Sequence, residues 1–205
     1  MKVSRSRVLV GAVLAVAVFV VSCGPPLSKN PLSDPKTAVA DGRLKGLWVG
    51  TTGNADATLQ VFPKAGAFFD LVLAGDDGDK GAAVVAFEGF PSQIGGKSYL
   101  NIRAKKFTGD YGESSEVSDE YIFARYEFAK DGSLTIWAME DDLVEADVKA
   151  GKLEGTIVSG EIRLTASSET LAEYVKNADP AKLFHEIGTF RRVPVPAPAP
   201  AKKKK

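Results

Sequence analysis

The chain of 205 residues has one cysteine and one histidine. A single cysteine excludes an internal disulfide, and a lone histidine beside it excludes a His/Cys zinc cluster. No apolar run reaches the roughly 20 residues that a membrane-spanning helix needs. No glycine-rich phosphate loop follows a strand pattern, and no G-x-S-x-G elbow is present. The chain also lacks a basic excess over its body. Lys2, Arg5 and Arg7 lie before the first apolar run, and Lys202, Lys203, Lys204 and Lys205 end the chain. Setting those seven aside leaves 19 of the 26 basic residues against all 26 acidic ones, a body charge of −7. That excludes a general nucleic-acid binder, which needs a basic face for phosphates.

What is present begins at the cysteine. "MKVSRSR" is a short basic start, and residues 8–21 form an uninterrupted apolar run. At 14 residues the run has the length of a secretory h-region, a segment removed from the mature protein. It ends in Val20-Val21-Ser22-Cys23. This stretch resembles the lipobox of bacterial lipoproteins: a branched apolar residue, a small or branched one, a small one, then Cys. The alternative is an uncleaved N-terminal anchor with an incidental cysteine.

The resemblance implies that the Cys23 thiol takes a diacylglyceryl group, the bond before it is cut, and the new amino group is acylated. Two or more chains, at about 0.8 kcal/mol per buried CH₂, anchor stably. It further implies a bacterial cell envelope location. Gly24, where an Asp tends to retain such proteins at the inner membrane, points to the periplasmic side of the outer membrane if the cell has one.

Four parts follow from composition: a signal peptide over 1–22, a proline-rich tether over 23–40, a folded domain over 41–193, and a proline–alanine tail over 194–205 ending in KKKK. The last 13 residues, as polyproline II at about 3.1 Å per residue, reach roughly 30–40 Å.

Within the domain, nine short runs rich in Val, Ile, Phe and Tyr, among them "GEIRLTA" over 160–166, are separated by Gly, Asp and Asn, the pattern of the strands and turns of one barrel. In "EYIFARYEF", Ile122, Ala124, Tyr126 and Phe128 share one face and Arg125 and Glu127 the other. In "SYLNIR", Leu100 and Ile102 oppose Asn101 and Arg103, so one face reads as wet and the sheet as antiparallel. Two late segments, 140–153 and 167–180, carry helix patterns, the second with Leu171, Tyr174, Val175 and Ala178 on one face. The predicted fold is mainly β: an antiparallel barrel or strongly curved sheet of about 8–9 strands with two short late helices.

"KGLWVG" opens the domain and "GTFRRV" closes it. Gly46-Leu47-Trp48 resembles the G-x-W start of lipocalins and their calycin relatives. The resemblance implies that Trp48 plugs one barrel end and that Arg191 or Arg192 from the last strand packs over its ring, a cation–π contact of ~1 kcal/mol. A core tryptophan in an edge strand is the plain alternative, and the two late helices depart from the family pattern. The chain also resembles small bacterial lipoproteins in general.

The remaining candidates point to ordinary structure. "DDGDKG" fails the calcium-loop pattern because Gly81 and Ala82 stand where a ligand and glycine are needed, so it reads as a solvated turn. "DYGESSEVSDE" reads as an acidic loop, and His185 as structural. No catalytic residue, metal ligand or cofactor is expected. Lys202, Lys203, Lys204 and Lys205 read by default as a solvated end, and are candidates for contact with an anionic surface, at about 1 kcal/mol per charge.

Three functions stay open. The first is a non-enzymatic lipoprotein, held in the membrane through Cys23, that binds a small apolar or amphipathic molecule. The second is an interaction or structural lipoprotein working through its surface and its basic tail on an anionic envelope polymer. The third is a hydrolase, because Ser/His/Asp arrangements are recognised by geometry and not by order.

Overall fold

The computed structural model describes residues 24–53, 55–76, 82–105 and 117–194. The lipobox with Cys23, the KKKK tail, and most of the DDGDKG and DYGESSEVSDE loops lie outside the described residues. In chain order, β1 (Leu27–Ser28) is followed by a 3-10 turn at Pro35–Thr37 and then by seven strands: β2 (Gly46–Thr52), β3 (Ala55–Pro63), β4 (Phe69–Asp76), β5 (Ala82–Ile94), β6 (Lys97–Lys105), β7 (Ile122–Phe128) and β8 (Leu134–Met139). An excursion comes next: α1 (Asp141–Lys149), β9 (Gly155–Val158), β10 (Glu161–Leu164), α2 (Ser168–Asn177) and α3 (Pro180–Leu183). The final strand is β11 (Phe184–Arg192).

Strands β2 to β8 and β11 close an antiparallel barrel in the order β11-β2-β3-β4-β5-β6-β7-β8. Strands β2 to β8 neighbour one another in chain order, and β11 returns between β8 and β2. Period-two alternation makes this work: in β3, Ala57, Leu59 and Val61 are buried while the residues between them are more exposed. The face of β7 read from sequence, with Ile122, Ala124 and Tyr126, joins Trp48, Leu59, Leu71, Phe87, Leu100 and Phe190 in one contiguous interior cluster. Where β2 meets β11, a Cβ on Gly50 would stand 2.1 Å from the Thr189 carbonyl oxygen, and one on Gly188 2.5 Å from that of Thr51. Both positions admit only glycine without a backbone shift at the closing seam.

A second core lies outside the barrel wall. Tyr99, Phe123, Met139 and Phe184 turn outward and meet Val144, Leu171, Val175 and Leu183 of the helices. The late helices therefore cover the wall from the outside. They do not extend over all of β5, where Val84 remains 43% exposed. Ser167 caps α2 by accepting from the Thr170 amide, and Asp141 and Asp142 begin α1, as the segment patterns predict.

Three sequence expectations change. "GEIRLTA", read as one of the barrel strands, is β10, and it pairs with β9 and β1 in a separate three-stranded sheet. Its buried residues Ile162 and Leu164 belong to the outer core, so the alternation was real but its partners lay elsewhere. Asn101, read as part of a wet face, is fully buried. Its side-chain oxygen accepts from the Leu32 amide at 2.7 Å, and its nitrogen donates to Ser92 Oγ at 2.7 Å.

The third change concerns the proline-rich segment, which is docked along its first part. Ser28 exchanges two backbone hydrogen bonds with Tyr121, at 2.8 and 2.7 Å, and Leu32 is 1% exposed. Two leucines among the prolines supply the apolar contacts, and Asn101 satisfies a backbone donor that docking removes from water. The segment passes from β1, beside the start of β7, across β6 to Leu44, next to Trp48.

Candidate functional site: the two ends of the barrel

The barrel has two chemically different ends. At the first, Gly46 takes φ +129°, a backbone conformation that side chains rarely adopt. The turn lets the Leu44 carbonyl accept the Trp48 indole N–H at 2.9 Å. Trp48 is fully buried, and its ring lies 5.8 Å from that of Phe128. Arg192 pairs with Trp48 across the β11–β2 seam and places its guanidinium 4.6 Å from the ring centroid. Of the two arginines named from sequence, Arg192 takes this position; Arg191 is exposed on the other face of the strand, paired with Val49.

Sequence reasoning missed the rest of this end. Arg43 stacks over Phe128 at 4.5 Å and forms an ion pair with Asp41 at 2.7 Å. Arg192 also donates to the Arg43 carbonyl. Tyr126 donates its hydroxyl to Asp41 at 3.1 Å. The Arg43 hydrogen bond, helped by Tyr126 and opposed by burial, holds the Asp41 carboxyl below its ordinary range. Burial, with the Asp41 charge, pushes the Tyr126 hydroxyl far above its own. Outside this cluster lies an open groove of 650 Å³ lined by Arg43, Phe128, Lys130, Asp131, Arg191 and Arg192.

The second end mixes small and aliphatic residues. Thr52 pairs with Ala55 on one side and with Gly188 on the other, and the register continues from Gly188 to Ile136 and Tyr126. The small inward residues Ala57, Gly75 and Ala104 stand beside Leu73, Val85 and Ile122. Val85, Ala104 and Ile187 are only partly buried against the interior cluster, as is Leu27 of β1. Thr52 is 3% exposed, and its Oγ1 has no hydrogen-bond partner. A buried hydroxyl left unpaired costs about 1–3 kcal/mol.

Elsewhere, Asp147 accepts from Lys152 and from the Tyr174 hydroxyl, each at 2.9 Å. The Lys152 contact lowers the Asp147 carboxyl, and burial followed by Asp147 raises the Tyr174 hydroxyl. These residues line an open groove of 680 Å³ between α1 and α2. His185 Nδ1 lies 3.0 Å from Glu140 Oε1 in a solvated pair. On the outer face of β4 to β6, Glu88 sits between Lys64 and Arg103, a ladder that tunes strand pairing by little in water. Among the described residues, no group of three or more His, Cys, Asp or Glu could hold a metal ion, and no helix is long and apolar enough to cross a membrane.

Compared with family models, with curated proteins and with solved structures, the chain finds no match in any of the three.

Proposed function

We propose that this is a lipid-anchored protein of the bacterial envelope that binds a small amphipathic molecule in the Thr52 half of its barrel. One observation carries the ligand reading: the Thr52 hydroxyl is almost fully buried and unpartnered, beside Gly188 and Ala55. An apolar enclosure with one or two polar groups is the usual make-up of a small-molecule site. A ligand there would lay its apolar part against Leu73 and Ile122 and meet Thr52 with a polar atom. The Trp48 half, filled by aromatic rings, is the closed floor of that site. The anchoring rests on the lipobox, with Cys23 as the acylated residue.

Native mass spectrometry on protein purified from its own cells, followed by solvent extraction, tests both parts. The expected results are a mature chain starting at acylated Cys23 and a co-purifying ligand in about one-to-one ratio. Cys23→Ser is expected to leave the protein unprocessed or released from membranes. A hydrophobic fluorescent probe should bind saturably and raise the melting temperature by mass action. Failure of any probe to saturate, with no extracted ligand, would overturn the binding reading and leave the anchoring standing.

A further inference from the structure

The docked N-terminal segment begins at the Thr52 end, and the last barrel strand finishes at the Trp48 end. Pro26 is buried, and Leu27 packs against the interior cluster at the Thr52 end. Three residues separate Cys23 from Leu27, so at 3.3–3.6 Å per residue the two Cα atoms are within roughly 14 Å of each other. An acyl chain on Cys23 therefore brings the bilayer against the Thr52 end. Val193 lies at the Trp48 end, where its amide donates to the Leu47 carbonyl at 2.9 Å. Strand β2, with seven residues, separates the two ends by roughly 20 Å.

The Trp48 end is also where positive charge collects on an otherwise acidic body. Arg43, Lys45, Lys130, Arg191 and Arg192 are all exposed there. The acids facing them are Asp41, which is taken up by Arg43, and Asp131, which feels the charge of Arg191. The open groove of 650 Å³ runs among these side chains, and the sequence that continues from it ends in four lysines. Guanidinium groups suit carboxylates, which they bind in two-pronged fashion.

Resting on the lipid-anchored reading, we propose that the arginine-lined groove at the Trp48 end docks the carboxylate-bearing peptidoglycan of the cell wall, facing away from the anchoring bilayer. The partner follows from direction and chemistry together. The groove points away from the leaflet that holds Cys23, and the next polymer outward in an envelope carries free carboxylates on its stem peptides.

The acylated full-length protein in phosphatidylcholine vesicles provides the test. Binding to purified wall sacculi is measured for the native sequence and for the pair Lys130→Glu with Arg191→Glu, two exposed positions whose change leaves both cores intact. The expected result is binding weakened about tenfold or more by the pair, and weakened similarly for native protein when the wall carboxylates are amidated. Thiol-directed fluorophores on Asp119→Cys, at the Thr52 end, and Lys45→Cys, at the Trp48 end, report orientation: a headgroup quencher should reach the first and not the second. Equal sacculus binding by the charge-reversed pair overturns the proposal. So does preferential binding to phosphatidylglycerol vesicles, or quenching at Lys45→Cys. Each of these results leaves probe binding in the lumen unaffected, and a mature mass without acyl chains would instead locate the failure in the anchoring.

Discussion

The two ends of the barrel solve the same problem in opposite ways. An eight-stranded barrel has an interior just wide enough for side chains to fill or for one small ligand to occupy. The Trp48 end fills it: Trp48, Tyr126, Leu134 and Phe190 are each 1% exposed or less. It then closes the rim with Arg192 over the indole and Arg43 over Phe128. The Thr52 end sets small residues such as Ala57 and Ala138 among aliphatic ones such as Leu73 and Ile122, and leaves one hydroxyl unpaired. Polar groups show the same split. Asp41 and Tyr126 satisfy one another at the closed end, while Thr52 is satisfied by nothing at the other.

The largest expected effect removes the plug. Trp48→Ala deletes the biggest buried side chain, its hydrogen bond to Leu44 and the platform for Arg192. Truncations of this kind cost about 3–5 kcal/mol, and thermal denaturation should show a fall of roughly 10 °C in a domain of this size. A loss below about 1 kcal/mol would mean the closed end does not carry the fold. Gly188→Val comes next. Its Cβ meets the Thr51 carbonyl oxygen at 2.5 Å, so the β2–β11 seam must open. Overpacking costs about 1–3 kcal/mol, and hydrogen exchange should speed up along β2 and β11 before it does along β4 and β5.

A smaller effect depends on pH. The Asp41 carboxyl is lowered from its ordinary value of 3.8, first by its hydrogen bond from Arg43. A carboxyl depressed on folding contributes stability above its unfolded value, and that contribution is lost as pH falls through the folded one. Native protein should therefore lose stability more steeply below about pH 4 than Asp41→Asn does. Near neutral pH the substitution should cost about 1 kcal/mol, because solvent around the exposed Arg43 screens the pair. Urea titrations at pH 3 and pH 7 compare the two proteins. Parallel losses in both would remove Asp41 from the rim's electrostatics.

How much of this was legible in the sequence depended on distance along the chain. Barrel class followed from alternation such as that of Ile122, Ala124, Tyr126 and Phe128, because each residue's face is set by its immediate neighbours. Trp48 and Arg192 were nameable because they sit in the strands that open and close the domain. Asp41 and Tyr126 stand 85 residues apart, and no local pattern joins them. The same limit misplaced β10, whose alternation says which face is buried but not against what. Proline content hid the docking of the N-terminal segment, whose contacts come from only a few apolar residues such as Leu27 and Leu32. Asn101 looked solvated because a buried amide and an exposed one are the same letter. Its burial depends on Leu32, which presents a backbone donor from 69 residues away.

The smallest expected effect has the opposite sign and bears most directly on the ligand. Thr52→Val keeps the shape of the side chain and removes the unpaired hydroxyl. Replacing an unsatisfied buried group by an apolar one of the same shape is neutral to stabilising, so a gain of up to about 1 kcal/mol, or roughly 2–4 °C, is expected. The same change should weaken a long-chain alcohol or acid more than an alkane of equal length, because only the polar-headed molecule loses a partner at that depth. Paired calorimetric titrations of native protein and variant measure the difference. A variant less stable than native protein would show that the hydroxyl is already paired. An equal drop for alcohol and alkane would show that Thr52 shapes the lumen without contacting a polar head. Either result would erase the chemical contrast between the two barrel ends, and a gain in stability joined to selective loss of the polar-headed ligand would sharpen it.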